Sequence, residues 1–468
     1  MIINFGQWLP DQPSLQNPCK TAVNVYPSPN GYGPFFSAAA VGDALPSVPI
    51  GRICFKQASD SSSLTGKIEI FVGTSTGLFR KNGTNWDNVS KTTYTPSTFW
   101  RFAVYGDLLI ATNGIDQPQK FVLSTGTAFV DLANAPTHNY PIVVRDTLVA
   151  LDVTDSSSYE IKWSVNNNAE DWTIANGGGA QSFPDGGPVI GGTGGEFGII
   201  LQNFAVTRMN FVGGELRFTF DKIEGGSGCI SAESIVQYKG RTYYLSNEGF
   251  QLFNGAESLN ISDEVCSTYF FNLLEVPSNL VTNTAEFIVT NTGEEISVAS
   301  LSQVEGALDN RNSCVVWKYP TATGNRLLIY NFSLNSWSES DISVEAVFNI
   351  NLVGGATLSG FDSDYKLAHF NGAIATAQVS TGDMQLSKGT GSSVRTVYGL
   401  GDSAHNVTVG KKSALLKTEA TVTGSSNSNG KVTVRSNGRL HRFELVPTAT
   451  YTEIIGVDVE FSIAGKRV

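Results

Sequence analysis

The chain has 468 residues, 41% of them hydrophobic and 10% aromatic, enough for packed cores and more than one ordinary domain requires. Its formal charge is −11, and its tightest basic groups are the pairs Lys411-Lys412 and Lys466-Arg467, so a surface that grips nucleic acid through its phosphates is excluded. The five cysteines lie far apart with no C-x-x-C pair, and no apolar run approaches the ~18 residues of a membrane-spanning helix, which excludes a disulfide framework, a zinc knuckle and a helical span.

Residues 1–50 are rich in proline: Pro10, Pro13, Pro18, Pro27, Pro29 and Pro34 punctuate the segment. Proline fixes φ and removes a donor, so an extended arm is expected, with no part of it a central strand. The arm carries Phe5, Trp8, Tyr26, Phe35 and Phe36, and rings of that area are expected to pack on the chain itself or on a neighbour. Met1–Pro13 lacks the basic start and apolar stretch of a secretory signal, and buried free thiols imply folding in a reducing compartment.

From residue 51 to about 380 one phrase keeps returning. A β-branched or aromatic run leads to a Gly-led kink, a Leu/Phe/Tyr pair, an Asn-Gly turn and often a tryptophan. Ile68–Val72, Gly77-Leu78-Phe79, Asn82-Gly83 and Trp86 make one copy; Thr242–Leu245, Gly249-Phe250 and Phe253-Asn254-Gly255 make another. Eight Asn-Gly pairs occur in the chain, and each is expected to supply the positive φ of a tight hairpin. A repeated unit that cannot bury its own apolar face must stack on its neighbours. Starts near Ile53, Phe102, Pro141, Pro188, Ala232, Cys314 and Ile350 lie at the roughly 40–50 residue period of propeller blades, so six or seven blades are expected. An insertion near 262–312, with a short helix around Asp263–Leu274, interrupts the series.

Residues 381–468 read as a compact β-sandwich. Gly389–Ser393 and Gly424–Gly430 are loops between alternating strands, and Gly456–Ala464 places Val457, Val459, Phe461 and Ile463 on one face. Lys431–Arg435 and Arg439–Val446, joined by Ser436-Asn437-Gly438, read as a hairpin. The fold class is therefore all-β: a propeller at 51–380, a C-terminal sandwich platform at 381–468 and the arm at 1–50.

No constellation of catalytic, cofactor or metal-binding residues emerges. Gly191–Gly195 fits neither G-x-G-x-x-G nor the P-loop pattern, and Ile199-Ile200-Leu201 after it reads as a buried strand where both motifs need a helix. His138, His369, His405 and His441 have no metal-ligand spacing, and His441, sharing a strand face with Phe443 and Leu445, reads as a hydrogen-bonded, half-buried histidine. Asp362-Ser363-Asp364 lacks the glycine and glutamate of a calcium loop. A propeller can also be a glycosidase or a carbohydrate-binding adhesin. The stretches at Trp86, Trp172 and Trp337 keep little of the sialidase-type Trp turn, and these rings are expected to plug the seams between blades.

In order and texture the chain resembles the tail hub, or nozzle, proteins of short-tailed bacteriophages, also called packaged-DNA stabilisation proteins. The stretches that carry the resemblance are Trp8-Leu9-Pro10-Asp11 with Asn24-Val25-Tyr26-Pro27, Ile161-Lys162-Trp163-Ser164, Ser234 through Gly255, Asp309 through Asn331, and Gly438-Arg439-Leu440-His441-Arg442. The resemblance implies a non-enzymatic structural protein of the virion tail, assembled in the host bacterial cytoplasm. It also implies a homo-oligomeric ring, usually a hexamer, that extends the DNA channel below the portal adaptor and retains the packaged DNA. The remaining implied partners are a tail needle or gate, tailspikes or fibres, and passing genomic DNA that is not tightly bound. The acidic balance suits such a conduit, because each phosphate contact would slow ejection. In that setting the arm would be a strap on an adjacent subunit, with Trp8, Pro10, Asp11, Tyr26, Phe35 and Phe36 as the candidate subunit contacts.

Overall fold

A computed structural model describes residues 1–57, 67–75, 77–214, 216–223, 225–274, 278–279, 297–298, 303–352, 355–388 and 390–463. The chain is all-β, a propeller joined to a β-sandwich. Six antiparallel four-stranded sheets stand alone, and the first four strands of a nine-stranded sheet make a seventh unit of the same kind, giving seven blades among the described residues. Their innermost strands, in order, are Gly51–Gln57, Arg101–Tyr105, His138–Val144, Val189–Thr193, Val236–Tyr238, Glu305–Asp309 and Ala346–Leu352. Each touches its neighbours directly or through the short helical turn Ala232–Ser234, and the ring closes where Ala346–Leu352 meets Gly51–Gln57. The expected starts fall close to these strands except in blade 6: Cys314–Thr321 is its second strand, and the first lies at Glu305–Asp309.

The seams between blades hold the large rings, as their apolar area demands. Trp86, on the outer strand of blade 1, packs against Phe361 of blade 7, with centroids 6.0 Å apart. Trp172 lies against Tyr105 and Leu148 between blades 2 and 3. Trp337 and Trp317 of blade 6 stack at 5.8 Å, beside Phe250 of blade 5. Gly191 and Gly192 lie in the innermost strand of blade 4, with a register shift between Val189 and Gly191, and Gly194 and Gly195 follow its end.

The sandwich consists of two sheets. One joins Val25–Ser28, Gly31–Pro34, Ile454–Ile463, Ser392–Gly401 and Lys431–Gly438, with Ile2–Asn4 also paired to Ile454–Ile463. The other is the far half of the nine-stranded sheet: Thr21–Val23, Gln378–Ser380, Leu440–Pro447, His405–Lys412 and Ala420–Ser425. Val397, Val409, Val434, Phe443, Leu445 and Val459 fill the space between, in one core continuous with that of blades 5 and 6. Along the last strand Val457 and Val459 are buried as the alternation requires, whereas Ile463 at its end is exposed.

Two expectations are overturned. Lys431–Gly438 and Leu440–Pro447 do not form a hairpin: the first pairs with Ser392–Gly401 in one sheet, the second with His405–Lys412 in the other. Gly438, like Gly31 and Gly372, lacks the positive φ that Gly83 adopts at 58°, so the chain crosses between layers at Asn437-Gly438 without a tight turn. The arm, moreover, does supply a central strand. Thr21–Val23, which contains no proline, lies parallel to Ser336–Ser340 of blade 6 and antiparallel to Gln378–Ser380. Phe36–Ala44 then becomes the outer strand of blade 7, pairing with Lys366–Ile374. A helix forms at Ser267–Leu273, while 275–277, 280–296 and 299–302 of the insertion expected near 262–312 fall outside the described residues.

Candidate functional site

The throat of the propeller and the N-terminal arm are the two places where polar side chains from distant segments converge. In the throat, blades are held close by residues without side chains: a Cβ on Gly51 would overlap the Trp100 carbonyl, and one on Gly194 would overlap that of Val143. These approaches leave a cavity of about 420 Å³ on the axis, to which innermost-strand residues of every blade contribute.

Two charged clusters border it. Arg52 of blade 1 donates from Nη2 to Glu305 Oε2 of blade 6 at 2.5 Å, and Lys318 Nζ stands 3.1 Å from Glu305 Oε1. Arg52 also donates from Nε and Nη2 to the Val347 carbonyl of blade 7 at 3.0 and 2.8 Å, and Lys318 donates to the Glu345 carbonyl at 2.8 Å. This cluster ties blades 6, 7 and 1 together where the ring closes. Burial works to raise the Glu305 carboxyl, but the nearby Arg52 and Lys318 outweigh it and hold the group below its ordinary range.

The second cluster spans the ring. Arg101 of blade 2 donates from Nε to Glu233 Oε1, in the turn leading into blade 5, at 2.9 Å. Its guanidinium lies between Phe99 and Tyr140, 3.8 and 4.3 Å from their ring centroids. Burial pushes the Tyr140 phenol up to about 12, against the pull of Arg101. Behind it Asn139 Nδ2 donates to Asp152 Oδ2 at 2.6 Å, and burial raises that carboxyl.

The arm residues meet partners of their own chain. Trp8 is 1% exposed, donates from Nε1 to the Lys20 carbonyl at 3.1 Å and lies edge-on to Tyr269, centroids 5.3 Å apart. The Pro10 carbonyl accepts from Lys20 Nζ at 2.5 Å. Asp11 accepts from the backbone N–H groups of Thr268 and Tyr269 at 2.8 and 2.6 Å. It thereby supplies the N-terminal cap that Cys266 does not make for helix Ser267–Leu273. Tyr26 donates from its hydroxyl to Asp309 Oδ2 at 2.7 Å and packs on Phe35, which is fully buried and touches Phe370. Phe36, half-buried, opposes Ile374 at the end of the blade 7 edge strand. Trp8, Pro10 and Asp11 thus gather around one short helix, and Tyr26 and Phe35 at the seam of blades 6 and 7. Trp8, Tyr26 and Phe35 have their ring surface committed inside the subunit.

His138, His405, His441 and four of the five thiols are core groups, while His369 and Cys54 are half-buried. His138 is wholly buried, hydrogen-bonded through Nδ1 to the Pro136 carbonyl at 2.8 Å, and burial lowers its pKa to about 4. His441 is buried, with Nε2 2.9 Å from Ser392 Oγ. Cys19, Cys229, Cys266 and Cys314 are buried free thiols, and burial lifts Cys19 and Cys229 to about 12. Asp362 accepts from the backbone of Asp364 and Lys366 as a turn residue, and no cluster of three metal-ligating side chains occurs among the described residues.

Sequence reasoning missed the throat charges, because Arg52, Arg101, Glu233, Glu305 and Lys318 share no local spacing. One signal existed: Arg52, Arg101 and Glu305 each stand at the first or second position of an innermost strand, an unusual place for charge in a repeated apolar unit.

No family model and no curated protein matches the chain. Among solved structures it is similar to a computationally designed protein at 10% identity and a TM-score of 0.40, over 72% of this chain and 99% of that one. It is also similar to the extracellular domain of a one component system of B. thetaiotaomicron, at 10% identity and a TM-score of 0.42, over 77% of this chain and 43% of that one.

Proposed function

We propose that this chain is a structural subunit of the tail of a short-tailed bacteriophage, a hub or nozzle protein that assembles as a homo-oligomeric ring around the DNA path. The observation that carries this reading is the splice made by Thr21–Val23, which turns blade 6 and half of the sandwich into one nine-stranded sheet. A single hydrogen-bonded sheet across two modules resists hinge motion between them, as a load-bearing ring segment requires and a flexible catalytic pair does not. The arm adds strands to both sandwich sheets and to blade 7, so the chain's first 50 residues lock the modules together. The Arg101–Glu233 ion pair, which joins blade 2 to the turn before blade 5 across the throat, favours a DNA passage between subunits over one along the blade axis.

In this role the ring contacts the portal adaptor above and a needle or gate with spikes or fibres around it, and performs no chemistry. The enzymatic rival, a glycosidase, needs one carboxylic acid free to give up a proton and a second carboxylate free to attack or activate water. Glu305 and Glu233 of the throat are instead each held by an arginine.

Electron microscopy and light scattering of the purified protein test the reading. Closed rings are the expected result, with the same ring found in phage particles by antibody labelling. A protein that remains monomeric at high concentration and is absent from virions refutes it.

A further inference from the structure

The throat holds more donors than its own acceptors use. Arg52 is 9% exposed and lines the axial cavity, and it spends Nε and Nη2 on Val347 and Glu305, while Nη1 meets no acceptor among the described residues. Arg52 and Lys318 share the single carboxylate of Glu305, which leaves this cluster with one positive charge uncompensated. In the second cluster Arg101 faces two carboxylates, Glu233 and, behind Asn139, Asp152, so the spare positive charge is local to Arg52 and Lys318.

The walls add to this. Gly191, Gly192 and Gly194 line the recess without side chains, with Thr193 among them. Trp100, Phe102, Tyr140 and Phe348 give the cavity apolar faces. The Arg52 guanidinium edge, unspent on its own acceptors, is suited to an oxyanion, since charge-assisted hydrogen bonds are the stronger ones and a guanidinium fits carboxylate and phosphate geometry.

We propose that the propeller throat binds a small organic oxyanion, the carboxylate or phosphate of a ligand that fits a cavity of about 420 Å³, with Arg52 Nη1 as its anchoring donor. The site is independent of ring formation and does not need the tail role to be correct.

Calorimetric titration of the full chain in low salt with inorganic phosphate, acetate and glucuronate tests it, with glucose as the neutral control. Saturable binding of phosphate or of the carboxylates is expected, and which of them binds identifies the headgroup. Arg52→Lys retains a charge for Glu305 but lacks the spare edge, and its affinity is expected to fall about tenfold. Arg145→Ala, at an exposed rim position, should bind as the unaltered chain does. Phenylglyoxal labelling of the unaltered protein, read by peptide mass spectrometry, gives a measure that survives any misfolding of the variant: the bound anion should slow modification of Arg52 selectively. No saturable anion binding, equal binding of glucose, unchanged affinity in folded Arg52→Lys or absence of protection at Arg52 each overturns the proposal.

Discussion

Replacing Trp8 by alanine separates an arm that serves its own subunit from one that serves a neighbour. The indole is 1% exposed, in a core shared with Cys19, Phe270 and Trp337, and its Nε1 satisfies the Lys20 carbonyl. Truncating a buried Trp costs about 3–5 kcal/mol through lost transfer energy and the cavity left behind. The edge-on contact with Tyr269 and the orphaned carbonyl each contribute on the order of 1 kcal/mol within or beyond that range. Trp8→Ala should therefore lower unfolding stability by about 4 kcal/mol in the isolated subunit, whereas Trp8→Phe, which keeps most of the volume, should cost about half as much. Urea unfolding followed by far-UV circular dichroism measures both. If Trp8→Ala unfolds within about 1 kcal/mol of the unaltered chain yet fails to form rings, the side chain serves an interface and the intrachain reading is wrong.

Asp11→Ala removes a cap supplied from over 250 residues away, so helix Ser267–Leu273 should lose about 1 kcal/mol and its amides should exchange faster; unchanged exchange there refutes the capping role. His138 has a folded pKa of about 4 against an ordinary 6.5, so the unfolded chain takes up the proton first. Its contribution is complete above pH 6.5 and is lost as pH falls towards 4, amounting to roughly 3 kcal/mol at full size; an NMR titration placing His138 near 6.5 would contradict this. Glu305→Gln leaves Arg52 and Lys318 uncompensated in a buried site and should cost about 3–5 kcal/mol, with local opening at the seam of blades 7 and 1 visible by hydrogen exchange. A loss below about 1 kcal/mol would mean that the cluster does not hold the ring closed.

Much of the architecture was legible in the residue order because strand pairing within a blade is local. Consecutive runs such as Thr242–Leu245 and Gly249–Phe253 pair with each other across a short turn, so alternation and turn residues suffice to mark them. The tryptophans at 86, 172 and 337 were placed in seams by area alone. The sandwich was harder: Asn437-Gly438 carries a hairpin signal, yet the strands on either side each gain a longer pairing in opposite sheets. The arm was harder still, since its prolines describe where backbone donors are missing and are silent about the three residues Thr21–Val23 that keep theirs. Of the site residues, those of the arm drew notice through their rings and prolines, whereas the throat charges gave no local pattern.

The order of residues by itself determined the β class, the stacking of repeated blades and the burial of four of the five cysteines, Cys54 being only half-buried, because period, turn chemistry and apolar content act over a few neighbours at a time. Only the tertiary structure decided that Arg52 meets Glu305, that Asp11 caps a distant helix and that the first strands of the chain complete its last sheets. Those pairings join residues hundreds of positions apart, and their energy exists only after the ring has closed and brought both partners out of water.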